Sequence, residues 1–214
     1  MTGDRANPSE NSQSIYNVPN AITCTRCVLA IVMLLTLSQE AFLISFILFV
    51  VAAATDWFDG WWARRFNQIT KFGRIFDSFV DKVLTCGAFI VLVGIDGSQV
   101  SAGLAIVVVC REMLISSVRG MVESSGGDFS AGIWGKLKFG IQCVAIGASL
   151  FGLSMQAMYP LTQTSLFSTW MPMLTWGAMV ATVLITVYSA GDYCFRAVKI
   201  LTADSEKQTR EAGQ

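Results

Sequence analysis

The chain has 214 residues, 53% of them hydrophobic and only 14% charged, with a mean hydropathy of +0.55. That is more apolar surface than one water-soluble core of this length hides, which predicts residence in a bilayer. Lys plus Arg number 15 and Asp plus Glu number 15, so the formal net charge is zero and no charge excess argues for nucleic-acid binding.

Residues 1–14 are polar and predict a mobile N-terminal tail; residues 202–214 predict a charged C-terminal tail. Between them, residues 15–201 read as one membrane domain. Its apolar stretches are 18–37, 41–64, 75–95, 100–121, 136–153 and 174–198. Each is long enough to cross a hydrocarbon core of about 30 Å as a helix rising about 1.5 Å per residue. A lipid-facing segment must satisfy its own backbone hydrogen bonds, and no period-two alternation suggests barrel strands. The predicted fold class is all-α, a polytopic membrane protein of six transmembrane helices. The first stretch is not read as a cleaved leader, because Arg26 interrupts it and no small-residue cleavage site follows.

Charge gives the orientation. With both termini on one side, the other side receives the connections 38–40, 96–98 and 154–173, none of which contains Lys or Arg. The positive-inside rule then places both termini at the cytoplasmic face of the cell (inner) membrane.

Two of the apolar stretches carry carboxylates. Asp56 and Asp59 are i and i+3, Asp77 and Asp81 are i and i+4, so each pair shares a helix face. Asp56 and Asp81 each lie roughly 21 to 23 Å from the outer end of their stretch, which puts them at one level near the cytoplasmic edge. Charges at that depth need a partner and a task. Four oxygen donors, in a chain with no His, suit a hard divalent cation such as Mg²⁺ or Mn²⁺, and two ions sharing bridging carboxylates would neutralise all four. The rival reading is a set of buried salt bridges to Arg64, Arg65, Arg74 and Lys82 that fixes helix packing.

The fourth and fifth stretches carry cations instead. Arg111 and Glu112 follow an apolar run that places them near mid-membrane, Arg119 lies about two turns nearer the cytoplasm, and Lys136 and Lys138 open the next helix. Arg111, Arg119, Lys136 and Lys138 together suggest a basic pocket for a phosphate; the alternative for the last three is that they only mark the interface. Cys24 and Cys27 have redox-motif spacing, but at the start of a membrane helix they read as small packing residues.

Asp56, Asp59, Gly60, Ala63, Arg64, Gly73, Asp77 and Asp81, at these offsets, resemble the full signature of the CDP-alcohol phosphatidyltransferases. The resemblance implies attack by an alcohol on the lipid-side phosphorus of CDP-diacylglycerol with release of CMP. It implies that Asp56, Asp59, Asp77 and Asp81 hold two metal ions, Asp56 and Asp77 bridging both, and that Asp81 is the general base. Gly60, Arg64 and Thr70 would hold the CDP moiety, and Asn20 and Thr23, within the stretch Asn17, Pro19, Asn20, Thr23 and Arg26, would close the nucleotide pocket. A homodimer is the family's expected state.

Arg111, Glu112, Ile115, Ser116, Arg119, Gly135, Lys136, Lys138 and Gln142 resemble more narrowly the phosphatidylglycerophosphate synthases, with Phe139 standing where that subfamily commonly has Thr. That resemblance implies sn-glycerol 3-phosphate as acceptor. Relatives using inositol phosphate, serine or phosphatidylglycerol share the carboxylate pattern and remain alternatives. A cation transporter is the distant one, disfavoured because the outer helix halves are almost free of ionisable groups.

Overall fold

The computed structural model describes the backbone of residues 18–66, 71–124, 133–159 and 169–191; within these, the side chains at 18, 19, 57–66, 71, 72, 74, 122–124 and 133–136 lie outside the description. The described residues are all-helical. The helices are α1 (Val18–Ser38), α2 (Phe42–Phe66), α3 (Lys71–Leu92), α4 (Ala102–Ser124), α5 (Ile133–Met158) and α6 (Thr169–Gly191).

Several ends differ from the apolar limits. Helix α3 starts at Lys71 rather than 75, α5 runs from Ile133 to Met158 rather than 136–153, and α6 starts at Thr169 rather than 174. The expected outer loop 154–173 is shorter in consequence. Hydropathy registers contact with lipid, whereas the helical hydrogen-bond ladder continues into the interface wherever no breaker stops it.

Helices α1, α5 and α6 are long and apolar enough to cross a bilayer by length and composition, and α2 contains the shorter apolar run Phe42–Asp56. The exterior is that of a membrane protein. Val28, Ile90, Ile106, Val144 and Leu184, from five different helices, are each more than half exposed, a spread of outward apolar side chains that water does not tolerate over a whole bundle.

Lipid is as apolar as leucine, so burial alone gives little drive for helices to associate in a bilayer; close van der Waals approach must do more. The core accordingly mixes Ala30, Ala52, Ala88 and Ala145 with Met33, Phe49, Phe89 and Leu150. Helix α1 packs on α2 and α3, and α3 in turn touches α4 and α5, so α3 is central. A Cβ at Gly87 of α3 would lie 2.6 Å from Leu34 Cδ1 of α1, which shows how closely those helices meet. Met179 brings α6 into the same core.

The connections that set this packing are tight. At the end of α1, Ala41 N–H donates to Thr36 O (3.0 Å) and Glu40 N–H to Leu37 O (3.0 Å), with Glu40 at φ 59°. This is the double closure of a left-handed helix cap, with Glu where Gly is usual. Between α3 and α4, Ser98 Oγ donates to Leu92 O (2.7 Å) and Ser149 Oγ of α5 donates to Ser98 O (2.8 Å), tying the turn to a third helix. Both closures lie at the end of the bundle opposite the carboxylates.

Candidate active site

Helix α1 supplies an unexpected element. Its inward stripe, stepping by three or four residues, runs Asn20, Thr23, Arg26, Ala30, Met33, Leu37, all buried. The stripe is polar for its first two turns and apolar afterwards. It therefore delivers polar side chains to one end of the α1–α2–α3 contact only.

At that end Asp56 of α2 meets Asp77 and Asp81 of α3, with one ligand oxygen of each lying within 4.8 Å of the others. Arg26 stands among them. Its Nη1 donates to Asp56 Oδ1, its Nη2 donates to Asp77 Oδ1, and Nη1 lies 3.6 Å from Asp81 Oδ1. The Arg26 side chain is wholly buried, and a guanidinium keeps its charge under burial, so the carboxylates are its necessary counter-ions. The aspartates are less enclosed, with side chains 27%, 40% and 27% exposed for Asp56, Asp77 and Asp81.

The donor set fits a hard cation. It offers carboxylate oxygens alone, converging from two adjacent helices and partly exposed, with no competing nitrogen or sulfur ligand within the cluster among the described residues. Asp59, Gly60 and Arg64 lie on α2 where side chains are outside the described residues, and Thr70 is outside them altogether. Asn20 and Thr23 are buried on the stripe that carries Arg26. Of the salt-bridge partners considered for the aspartates, Lys82 instead donates to Ser78 O (2.7 Å) and Ser78 Oγ (2.6 Å) on its own helix, while Arg64, Arg65 and Arg74 fall on undescribed side chains.

A second polar nest joins α4, α5 and α6. Lys138 Nζ pairs with Glu112 Oε1, Arg111 Nη1 lies 3.2 Å from the same oxygen, and Arg111 Nη2 donates to Ser189 Oγ of α6 (2.7 Å). Arg111, Glu112 and Lys138 are nearly enclosed, with side-chain exposures of 7%, 12% and 5%. Two of the four residues expected around a phosphate thus share an internal carboxylate. Arg119 is half-buried, and its buried Nε has no hydrogen-bond partner among the described residues; the Lys136 side chain lies outside them.

The partners of two residues escaped the sequence. Arg26 was legible as an interruption of an apolar run and as the last member of the stretch Asn17, Pro19, Asn20, Thr23 and Arg26, but its pairing with Asp56 and Asp77 was not. Glu112 was legible as a neighbour of Arg111, but its role as the shared counter-ion of Arg111 and Lys138 depends on α4 and α5 both packing on α3.

Residues 16–188, which carry this carboxylate cluster, match the model of the CDP-alcohol phosphatidyltransferase family. The chain belongs to that family. Its carboxylate pattern is therefore that of a transferase of phospholipid biosynthesis. Among curated relatives, the CDP-diacylglycerol–glycerol-3-phosphate 3-phosphatidyltransferase of Bacillus subtilis (strain 168) is 35% identical over 151 residues, covering 64% of this chain and 77% of the relative. Proteins of the same name from Escherichia coli (strain K12), 36% identical over 137 residues, and Haemophilus influenzae, 31% identical over 142, are also similar. They cover 61% and 64% of this chain, and 75% and 76% of their own lengths.

Proposed function

We propose that the protein transfers the phosphatidyl group of CDP-diacylglycerol to sn-glycerol 3-phosphate, forming phosphatidylglycerophosphate and CMP. The observation that carries this reading is the convergence of Asp56, Asp77 and Asp81 within 4.8 Å at the α2–α3 contact of a chain in this family. Family relatives bearing the glycerol-3-phosphate transferase name support the acceptor.

In the reaction, the acceptor hydroxyl oxygen bonds to the lipid-side phosphorus, and the bond from that phosphorus to the bridging diphosphate oxygen breaks. CMP departs with the electron pair. Asp81 accepts the hydroxyl proton, as a carboxylate placed beside the reacting phosphorus is able to do. Asp56, Asp59, Asp77 and Asp81 would hold two Mg²⁺ or Mn²⁺ ions, which when bound supply positive charge against the diphosphate and the leaving nucleotide. Gly60, Arg64 and Thr70 hold the CDP moiety, the guanidinium meeting phosphate oxygens in a fork, and Asn20 and Thr23 close the nucleotide side.

The acceptor phosphate is held by Arg111, Arg119, Lys136 and Lys138. Arg119 has donor capacity to spare among the described residues, and Arg111 and Lys138 reach the same depth from two helices. The working unit in this reading is residues 15–201, spanning the cell (inner) membrane six times as a homodimer, with both termini and the carboxylates on the cytoplasmic side where glycerol 3-phosphate and CTP-derived lipid meet.

An acceptor panel with one defined CDP-diacylglycerol tests the assignment. Purified protein should release CMP with glycerol 3-phosphate and not with inositol phosphate, serine, phosphatidylglycerol or free glycerol. Preference for any of those acceptors would leave the phosphatidyltransferase class standing and remove the phosphate pocket.

A further inference from the structure

We propose that Arg26 is a built-in counter-ion that occupies the carboxylate cluster of the metal-free protein and yields it when divalent cations bind. The inference rests on reading Asp56, Asp77 and Asp81 as metal ligands, and goes beyond it by assigning a task to a residue outside that ligand set.

Three carboxylates brought within 4.8 Å repel one another strongly in a medium of low dielectric. A bundle that folds before it meets a metal needs an internal positive charge to tolerate them. Arg26 is the described residue that meets all three. One guanidinium nitrogen reaches Asp56 and approaches Asp81 at 3.6 Å, while the other reaches Asp77, so its planar fork bridges α2 and α3 from α1. A lysine at this position would present one nitrogen rather than a fork and would not span the pair.

The same geometry makes the arginine a competitor. Asp56 Oδ1 and Asp77 Oδ1 are turned onto the guanidinium, and an ion with bonds of about 2.0 to 2.1 Å needs its carboxylate oxygens gathered around itself with nothing between them. Arg26 and an ion compete for the lone pairs of these oxygens, so an ion that gathers them around itself must loosen or displace the guanidinium. Among the described residues one guanidinium stands against three carboxylates, a ratio that favours the arrival of divalent cations. Displacement is possible because the aspartates are partly exposed, and the exchange couples metal arrival to the seat of α1, whose Asn20 and Thr23 share the stripe with Arg26.

The test is direct binding of Mn²⁺ to purified, substrate-free protein, read from the loss of the free-ion paramagnetic resonance signal, alongside thermal melting with and without the ion. Arg26→Gln should bind Mn²⁺ about ten- to hundredfold more tightly than the wild type, since a charge-assisted competitor has been removed. Its metal-free form should melt lower, and saturating Mn²⁺ should raise its melting temperature more than the wild type's. Arg26→Lys, which keeps the charge but loses the fork, should also bind more tightly than wild type and decides the matter should the glutamine variant fail to fold. Equal or weaker Mn²⁺ binding in these variants, with normal binding in the wild type, overturns the exchange and leaves the metal site intact. Absence of Mn²⁺ binding in wild type and variants alike overturns the metal site itself, and the exchange with it.

Discussion

The two polar nests invert one another in charge and differ in access. In the first, Asp56, Asp77 and Asp81 surround one arginine and remain about a quarter to two-fifths exposed; in the second, Arg111 and Lys138 share one glutamate and are almost sealed. A partly exposed carboxylate cluster leaves room for the counter-ion exchange proposed above. A sealed triad of cation, carboxylate and cation instead holds α4 and α5 together, and Ser189 extends the tie to α6. Removing the Asp81 charge from the first nest should therefore abolish chemistry and largely spare the fold, whereas removing the Lys138 charge from the second should cost stability as well as acceptor binding.

The largest expected effect falls at Asp81. Asp81→Asn keeps the size and one oxygen donor but loses the basic carboxylate, so turnover should fall by roughly two to four orders of magnitude. Binding of CDP-diacylglycerol and the melting temperature should change little. A steady-state assay beside a melting curve checks both, and turnover close to wild type would make Asp81 a packing residue and erase the contrast between the nests.

Next comes Lys138. Lys138→Met leaves Glu112 enclosed with half its positive partners gone, and breaking a buried pair in this way costs about 3 to 5 kcal/mol. The double variant Glu112→Gln with Lys138→Met should lose less than the two single variants added together, because the Lys138–Glu112 contact is then lost once rather than twice. A double-mutant cycle on thermal stability measures the coupling. Additive losses would show that the nest is not a structural pair.

Arg119 gives the smallest of these effects and sharpens the division within the basic set. Arg119→Gln should raise the KM for glycerol 3-phosphate about ten- to hundredfold, the loss of one charge-assisted contact worth about 1.5 to 3 kcal/mol, while the KM for CDP-diacylglycerol and the stability hold. Equal effects on both substrates would remove Arg119 from the acceptor site.

What the sequence made legible follows the range of each interaction. Asp77 and Asp81 share a face because four residues make about one helical turn, a local fact that any window shows. The all-helical class was legible for the same reason, since bilayer length and backbone satisfaction act segment by segment. Arg26 was not, because its partners lie 30 and 51 residues away on other helices. The same holds for Lys138 and Glu112, 26 residues apart, and for Arg111 and Ser189, 78 apart. Local spacing tells which residues look the same way; which charge they meet is decided by helix packing. The helix ends slipped for a different reason. Lys71 at the start of α3 and the run Ser154–Met158 at the end of α5 are helical without being strongly apolar, so a hydropathy boundary stops short of them.

Metal-dependent phosphatidyl transfer on the carboxylate cluster is the proposed work of this chain. The most direct measurement is CMP release by the purified wild-type protein from CDP-diacylglycerol and glycerol 3-phosphate, before chelation, after exhaustive chelation, and after adding back Mg²⁺ or Mn²⁺. CMP release should require the acceptor, disappear with the metal and return with either ion. Full turnover after metal removal, or no CMP release under any of the three conditions, would contradict the proposal.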